Sequence, residues 1–176
     1  VVNIMIFKEL GNHKIHRLRV IHLYEADHNF IVGTQWRKLL QQANCNGTVH
    51  PEQHGGRPGH KATMLTFMEE LKMDIAYSSL KHLINLDNDV ASCYDRIIPA
   101  LAALIERKYG HHRLVIVVNA KTLKEAQFHL KTALGISEEF YSYGGAYPIY
   151  GTRQGSGNSP VIWCFDSYTL FDCHQA

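Results

Sequence analysis

The segment around Asp89 constrains the fold of this chain more than any other. Leu83, Ile84 and Leu86 form an apolar run that leads into Asp89, and the aromatic Tyr94 follows five positions later. Such a run, bounded by polar residues, predicts a buried strand that ends at the acidic residue. A carboxylate at the end of a strand is held stiffly enough to serve as a metal ligand. We therefore expect an α/β fold in which Asp89 stands at the end of this strand.

Length and composition exclude several classes of protein. The chain has 176 residues, of which 45% are apolar and 19% charged, so it can form one domain or two small lobes. No apolar run approaches the roughly 18 residues of a membrane span, and the first residues lack the basic lead and cleavage site of a signal peptide. The four cysteines lack paired spacing. We therefore expect free thiols and a reducing intracellular compartment, nuclear or cytoplasmic.

Periodicity and turn residues predict the other elements. We expect strands over residues 17–23 and 114–118, helices over 27–43, 61–79, 97–109 and 122–134, and a hairpin over 140–150. Asp27 or Asn29 is the predicted N-cap of the first helix, and Ser159 is the predicted cap of a last helix that has Pro160 at its first position. The buried face predicted for the first helix consists of Val32, Trp36, Leu39, Leu40 and Ala43. Met64, Met68, Leu71 and Ile75 share one face of the second helix.

A second signal occupies residues 151–160, which read Gly-Thr-Arg-Gln-Gly-Ser-Gly-Asn-Ser-Pro. Glycines allow the backbone to approach a ligand closely, and the amide of Gln154 can donate and accept at once. Read alone, the segment is also typical of a Gly/Ser turn before a capped helix. Taken in order with the Asp89 segment, it resembles the reverse transcriptases of non-LTR retroelements and group II introns. The amino-acid sequences of the two segments are similar to those of retroelements from diatom-like algae.

The resemblance implies RNA-directed DNA synthesis by nucleotidyl transfer, with an RNA template, a DNA primer and dNTPs as partners. In this family Asp89 would bind Mg2+ (or Mn2+) in a two-metal site. Tyr94 would pack under the incoming sugar and exclude a 2′-hydroxyl, with Val90 in the same nucleotide site. Gln154 and Gly155 would contact the new base pair and the template. For Asp89 and Tyr94 the alternative is a strand–helix turn with a half-buried aromatic side chain.

Two further segments resemble the fingers of that family. Residues 53–61 are similar to a template-gripping motif, with Gly56 in place of the usual Phe and His60-Lys61 in place of Arg-Ser. The strand at 17–23 would supply a basic residue for the triphosphate, and a solvated basic face is an equal alternative there. The implied nucleic-acid-binding residues are Gln53, Gly55, Arg57, Lys61 and Arg153. The implied triphosphate ligands are Arg17 and Arg19. Gly157-Asn158 departs from the family pattern, and we expect added flexibility there.

The fold implied by the resemblance is a right-hand polymerase, with fingers over residues 1–82 and part of the palm over 83–176. The family carries its other catalytic carboxylates in an aromatic-x-Asp-Asp hairpin after the last helix, and this chain contains no Asp-Asp dipeptide. We therefore expect a fingers-plus-partial-palm fragment, cut from something longer or left by a decayed element. Alone, it should not polymerise.

Three alternatives remain at this stage. The first is a non-catalytic nucleic-acid-binding remnant, which suits the basic strand and the Gly-rich loop, although the net charge is only +2. The second is a phosphate-loop NTPase, because residues 55–63 superficially resemble that motif, yet Lys61 does not follow a glycine directly. The third is a zinc site, which the 12 histidines and four cysteines allow but whose ligand spacing is missing.

Overall fold

The computed structural model of the protein describes residues 1–8, 11, 14, 18–51, 53–85, 90, 92–142 and 151–175. Over these residues the chain is a mixed α/β structure with a four-stranded mixed sheet and six helices. In chain order the elements are β1 (Val2–Phe7), β2 (Leu18–Leu23), α1 (Ala26–Cys45), α2 (Ala62–Ser78), α3 (Cys93–Arg96), α4 (Pro99–Lys108), α5 (Arg113–Glu125), β3 (His129–Thr132), β4 (Gly135–Ile136) and α6 (Ser159–Gln175).

The sheet joins the two N-terminal strands to residues 129–136. Its strand order is β2-β1-β3-β4. Strands β1 and β2 are antiparallel, with Asn3 opposite His22, whereas β3 runs parallel to β1, with Val2 opposite His129. Strand β2 confirms the prediction for residues 17–23, except that Arg17 lies outside the described residues. Strand β1 was not predicted, although it has the β-branched residues that favour strands; of its two partners, β2 is near in sequence and β3 is distant.

The hydrophobic core lies where α1, α4 and α6 meet. All five residues predicted for the buried face of α1 are buried, and Trp36 is only 1% exposed. On the other side, Ile105 of α4 and Ile162 and Phe165 of α6 complete the packing. Tyr109, just after α4, stacks on Phe165 with ring centroids 4.1 Å apart. Since α1 precedes residue 82 and the other two helices follow it, the two predicted halves of the chain share this core.

The second predicted helix is confirmed as α2, but its apolar face is not buried. Met64, Met68, Leu71 and Ile75 are all exposed, and α2 contains no buried residue at all. Helical periodicity therefore predicted the element correctly. It could not predict whether a partner within the described residues covers the face.

The predicted strand over residues 114–118 was wrong, and the predicted helix over 122–134 is confirmed only over 122–125. Residues 113–125 form α5, and β3 occupies residues 129–132 of the range predicted as helix. A five-residue apolar run cannot distinguish a strand from a helix. Here the Nδ1 atom of His112 accepts a hydrogen bond from the Leu114 N–H at 3.3 Å and caps α5. The helix then buries Ile116 and Leu123, seven residues apart.

The remaining predictions concern a helix, a hairpin and the cysteines. The 97–109 helix is confirmed as α4, and Gly110 follows it with a φ of +89°, as expected for a helix-ending glycine. The predicted 140–150 hairpin lies mostly outside the described residues, although Tyr141 pairs with Phe128. All four cysteines are described and none forms a disulfide. Among the described residues, no helix combines the length and the hydropathy needed to cross a bilayer.

Candidate functional site

Asp89, the predicted metal ligand, lies outside the described residues, together with 86–88. The described part of the strand predicted to lead into it is not a buried strand: Leu83 is 47% exposed and Ile84 is 84% exposed, and neither belongs to a strand. Among the described residues no strand pairs with residues 83–85, so their apolar character alone does not make them part of the sheet. Val90, which directly follows Asp89, is exposed.

Tyr94 lies in α3, a single helical turn. Ser92, just before it, has a φ of +54°, so the backbone enters the turn in a left-handed conformation. The Tyr94 side chain is half-buried and packs against the core. Burial raises the pKa of its hydroxyl, and the Cys93 thiol adds to this effect.

The second motif packs directly on the Tyr94 turn. The Thr152 N–H donates to the Tyr94 carbonyl at 2.8 Å, and the Gly151 N–H donates to the Ile97 carbonyl at 2.7 Å. Gly151 has a φ of +83°, and a Cβ atom there would lie 2.9 Å from the Tyr94 carbonyl oxygen. A side chain at this position would therefore separate the two segments, and the glycine allows the approach.

Beyond Gly151 the chain crosses strand β2. We call residues 151–157 the 151–157 loop. The His22 N–H donates to the Gln154 carbonyl at 2.8 Å. Gly155 has a φ of +114°, and a Cβ atom there would lie 2.2 Å from the His22 carbonyl oxygen. The predicted template-contacting pair, of which Gln154 is half-buried and Gly155 exposed, is thus fixed against a strand of the predicted fingers.

Arg153 points into the protein. Only 4% of the residue is exposed, its φ is +72°, and its guanidinium carbon lies 3.9 Å from the centre of the Phe128 ring. This cation–π contact places the charge beside His22. Burial, followed by the Arg153 charge, lowers the pKa of His22 to about 4. A direct contact of Arg153 with nucleic acid therefore requires this stacked side chain to leave Phe128.

The opposite side of the loop contacts α1. The Asn29 side chain donates through Nδ2 to the Gly155 carbonyl at 3.2 Å and accepts from the Gly157 N–H at 2.5 Å. Asp27 and Asn29 were both predicted as possible N-caps, which was wrong, because both lie inside α1 and Glu25 occupies the cap position. Asn158 is buried, and its amide bonds Ser156 and Asn119. Hydrogen bonds to α1 and to Asn119 thus hold the segment for which the sequence predicts added flexibility.

Helix α6 begins directly after this loop. The Ser159 hydroxyl donates back to the carbonyl oxygens of Thr152 and Arg153, at 2.7 and 2.8 Å. The carbonyl of Asn158 accepts from the N–H groups of Val161 and Ile162. The helix prediction is thus confirmed, with its start at Ser159 instead of Pro160. The Ser159 side chain, predicted as a cap, closes the loop instead.

The predicted template-gripping segment forms a turn-rich loop between α1 and α2. Gln53 is buried, with its amide donating to the Gly55 carbonyl at 3.0 Å and accepting from the Ser167 hydroxyl at 3.2 Å. Arg57 is half-buried and donates to Asn44 Oδ1 at 2.6 Å. These two side chains tie the loop to the core helices. Gly55 and Lys61 are exposed, with Lys61 at the N-cap of α2.

The described residues do not by themselves form a magnesium or zinc centre. Among them, no three His, Cys, Asp or Glu side chains come together as a metal would require. Arg19 is exposed on β2, opposite Ile6, and Arg17 lies outside the described residues. The described part of the site therefore consists of the Tyr94 turn, the 151–157 loop and the two elements that hold the loop, β2 and α1.

Two residues of this arrangement were missed at the sequence level. Asn29 and Gly33 both contact the 151–157 loop from α1. In a single sequence, an Asn near a helix start predicts a cap, and a helical Gly indicates only a weak helix position. Neither signal points to a partner more than a hundred residues away.

No protein-family model matches this chain, and no curated protein sequence matches it.

Proposed function

We propose that this chain is the fingers and partial palm of an RNA-directed DNA polymerase. The observation that carries the proposal is the hydrogen bond from the Thr152 N–H to the Tyr94 carbonyl at 2.8 Å. Two motifs chosen for their resemblance to reverse transcriptases are distant in sequence, yet they are in backbone contact. A common active site requires such proximity, because its groups must act on one substrate.

Each element of the arrangement has a part in this proposal. Asp89 binds the divalent ion, which supplies charge stabilisation for nucleotidyl transfer when bound. Tyr94, with Val90 nearby in sequence, limits the space at the 2′ position of the incoming sugar. Gln154 and Gly155 contact the new base pair through a polar side chain and an uncrowded backbone. Their attachment to β2 and α1 keeps that contact rigid, as an accurate copying site needs.

The proposed nucleic-acid surface depends on exposed basic groups. Arg19 on β2 and Lys61 at the start of α2 are both exposed, so they can contact phosphates without any rearrangement. Gly55 offers exposed backbone in the same loop as Lys61. Arg57 and Gln53 do not need to contact the nucleic acid. Their hydrogen bonds within the chain hold the loop that carries Gly55 and Lys61.

Binding is tested with fluorescently labelled nucleic acid. Wild-type protein should bind an RNA–DNA hybrid with a 5′ RNA overhang, and Arg19→Ala and Lys61→Ala should each reduce the salt dependence of the binding constant by about one phosphate contact. Lys124→Ala is the matched control, since Lys124 is exposed on α5, far along the chain from these groups. Equal salt dependence in all four proteins would contradict the proposed surface.

Catalysis is tested with a version of the protein extended into its downstream coding sequence. The extended protein should add dNTPs to a DNA primer on an RNA template with Mg2+, Asp89→Asn should abolish this, and the 176-residue chain should not polymerise. Hybrid binding without extension activity would support the non-catalytic remnant instead. ATP hydrolysis by the isolated chain would support the phosphate-loop NTPase.

A further inference from the structure

Asn29 contacts the 151–157 loop with both ends of its side-chain amide. Its Nδ2 donates to the Gly155 carbonyl at 3.2 Å, while its Oδ1 accepts from the Gly157 N–H at 2.5 Å. Asparagine has one donor and one acceptor group at its tip, so a single side chain satisfies two peptide groups of the loop. This two-ended contact fixes the orientation of the backbone directly after Gln154.

The approach of α1 to the loop depends on Gly157. A Cβ atom at residue 157 would lie 2.8 Å from the Asn29 carbonyl oxygen and 3.0 Å from the Cα of Gly33. Gly33 is itself buried in α1, and a Cβ atom there would lie 3.5 Å from the Cα of Gly157. The missing side chain at Gly157 therefore lets the loop backbone lie on the helix within reach of Asn29, whereas a Cβ atom at Gly33 would make only an ordinary van der Waals contact.

Strand β2 holds the other side of the same loop. The His22 N–H bonds the Gln154 carbonyl at 2.8 Å, and the space above Gly155 is filled by the His22 carbonyl. The β2 contacts use backbone atoms only, whereas the contact from α1 uses a side chain. Asn29 is therefore a position outside the 151–157 loop at which a substitution can alter the orientation of the loop while the loop sequence stays unchanged.

We propose that Asn29 is a positioning residue that couples α1 to Gln154 and Gly155, setting their orientation toward the template–primer hybrid. This inference rests on the proposed function of the 151–157 loop. Asn29 itself does not need to contact the nucleic acid. Its two hydrogen bonds act through the Gly155 and Gly157 peptide groups, whose rotation would turn the Gln154 side chain away from its target.

The test compares Asn29→Leu, Asn29→Asp and the control Gln35→Leu, an exposed amide on α1. Asn29→Leu removes both hydrogen bonds, so we expect about 10-fold weaker hybrid binding and about 10-fold faster hydrogen exchange at the Gly157 amide. Asn29→Asp keeps an acceptor for Gly157 but lacks the donor for Gly155. Protonation of the introduced carboxyl restores that donor, so its affinity relative to wild type should recover as the pH is lowered.

The outcomes separate this inference from the function on which it rests. If wild-type protein and Gln35→Leu bind the hybrid equally and Asn29→Leu binds as tightly, Asn29 is not a positioning residue. If the affinity of Asn29→Asp relative to wild type is independent of pH, the bond to Gly155 does not matter. If Asn29→Leu does not fold, Asn29→Asp alone decides through its pH profile. Wild-type protein that does not bind the hybrid overturns the proposed function, and this inference with it.

Discussion

The carbonyl oxygen of Tyr94 accepts a hydrogen bond from the Thr152 N–H at 2.8 Å. Gly151, next to Thr152, lies so close to the same carbonyl that a Cβ atom could not fit without a shift. The α3 turn and the 151–157 loop, which are distant in sequence, therefore meet through their backbones. Because these backbones lie so close together, a glycine at such a contact tolerates few substitutions. Replacing the glycines therefore tests the contacts.

Gly155→Ala should destabilise the protein by about 2 kcal/mol or more, because the new Cβ would meet the His22 carbonyl and the residue would keep a strained positive φ. A Cβ atom at residue 155 would lie 2.2 Å from that oxygen. Urea unfolding monitored by circular dichroism measures the change.

Gly47→Ala is the control for that substitution. Gly47 also has a positive φ, +67°, but a Cβ atom there meets nothing within 4 Å. Its cost should be confined to backbone strain, about 1 kcal/mol. Equal destabilisation by the two substitutions would show that the contact with His22 is unimportant.

His22 should make the protein less stable in acid. Burial, followed by the Arg153 charge, lowers the pKa of His22 from 6.5 to about 4, and the N-terminal amine acts in the same direction, while the hydrogen bond to Gln154 opposes it. The unfolded chain therefore takes up a proton that the folded protein resists. This contribution to stability is complete above pH 6.5 and is lost as the pH falls toward 4.

Urea midpoints between pH 4 and 7 for wild type, His22→Leu and the exposed-residue control His82→Leu measure that effect. We expect wild type and His82→Leu to lose stability in parallel on acidification, whereas His22→Leu should lose less. A slope unchanged by His22→Leu would show that another group is responsible.

Asp166 should make the protein less stable as the pH rises, the opposite of the effect of His22. Burial, followed by the Glu106 carboxylate, raises the pKa of Asp166 from 3.8 to about 7. One of its oxygens, Oδ1, is buried and has no hydrogen-bond partner among the described residues. The folded protein holds a proton that the unfolded chain releases, so the stabilising effect is complete below pH 3.8 and is lost as the pH rises through 7.

Asp166→Asn removes this titration, and it should therefore increase stability at pH 8 more than at pH 4. Asp74→Asn, at an exposed position of α2, is the control and should change little at either pH. Thermal or urea unfolding at the two pH values measures the difference. If Asp166→Asn is less stable than wild type at pH 8, the folded protein stabilises the charged carboxylate, and the pKa of Asp166 is not raised.

Tyr94→Ala should increase ribonucleotide incorporation several-fold in the extended, active protein, because it opens space at the 2′ position of the sugar. Tyr94→Phe keeps the ring and should retain wild-type selectivity. Primer extension with matched dNTP and rNTP measures the ratio. The ring also packs against the core, so stability is measured alongside. Unchanged selectivity in a folded Tyr94→Ala protein would contradict the assigned role.

Local sequence was sufficient where the type of an element and its buried face follow from its own periodicity. In α1, the spacing of Val32, Trp36 and Leu39 predicts a helix and its buried face, and all three are buried. In α4, Gly110 marks the end of the helix where the backbone needs a positive φ. The prediction succeeded because a repeat of 3.6 residues and a left-handed glycine are properties of short segments.

Local sequence was insufficient where an apolar segment had several possible partners. Residues 114–118 contain β-branched residues, yet they form part of α5, because His112 caps that helix and Ile116 and Leu123 are buried at helical spacing. Residues 129–132 form a strand because β1 offers its edge, and β1 is at the other end of the chain. Propensity differences per residue are small enough for tertiary contacts to override them.

By itself, the sequence determined the helices with clear periodicity and the glycine that ends α4. Only the tertiary structure decided that Thr152 meets Tyr94, that Asn29 holds the 151–157 loop and that Arg153 turns inward onto Phe128. The physical reason is range. Dihedral preferences and hydrophobic periodicity act over a few residues, whereas these contacts form only when distant segments pack around a common core.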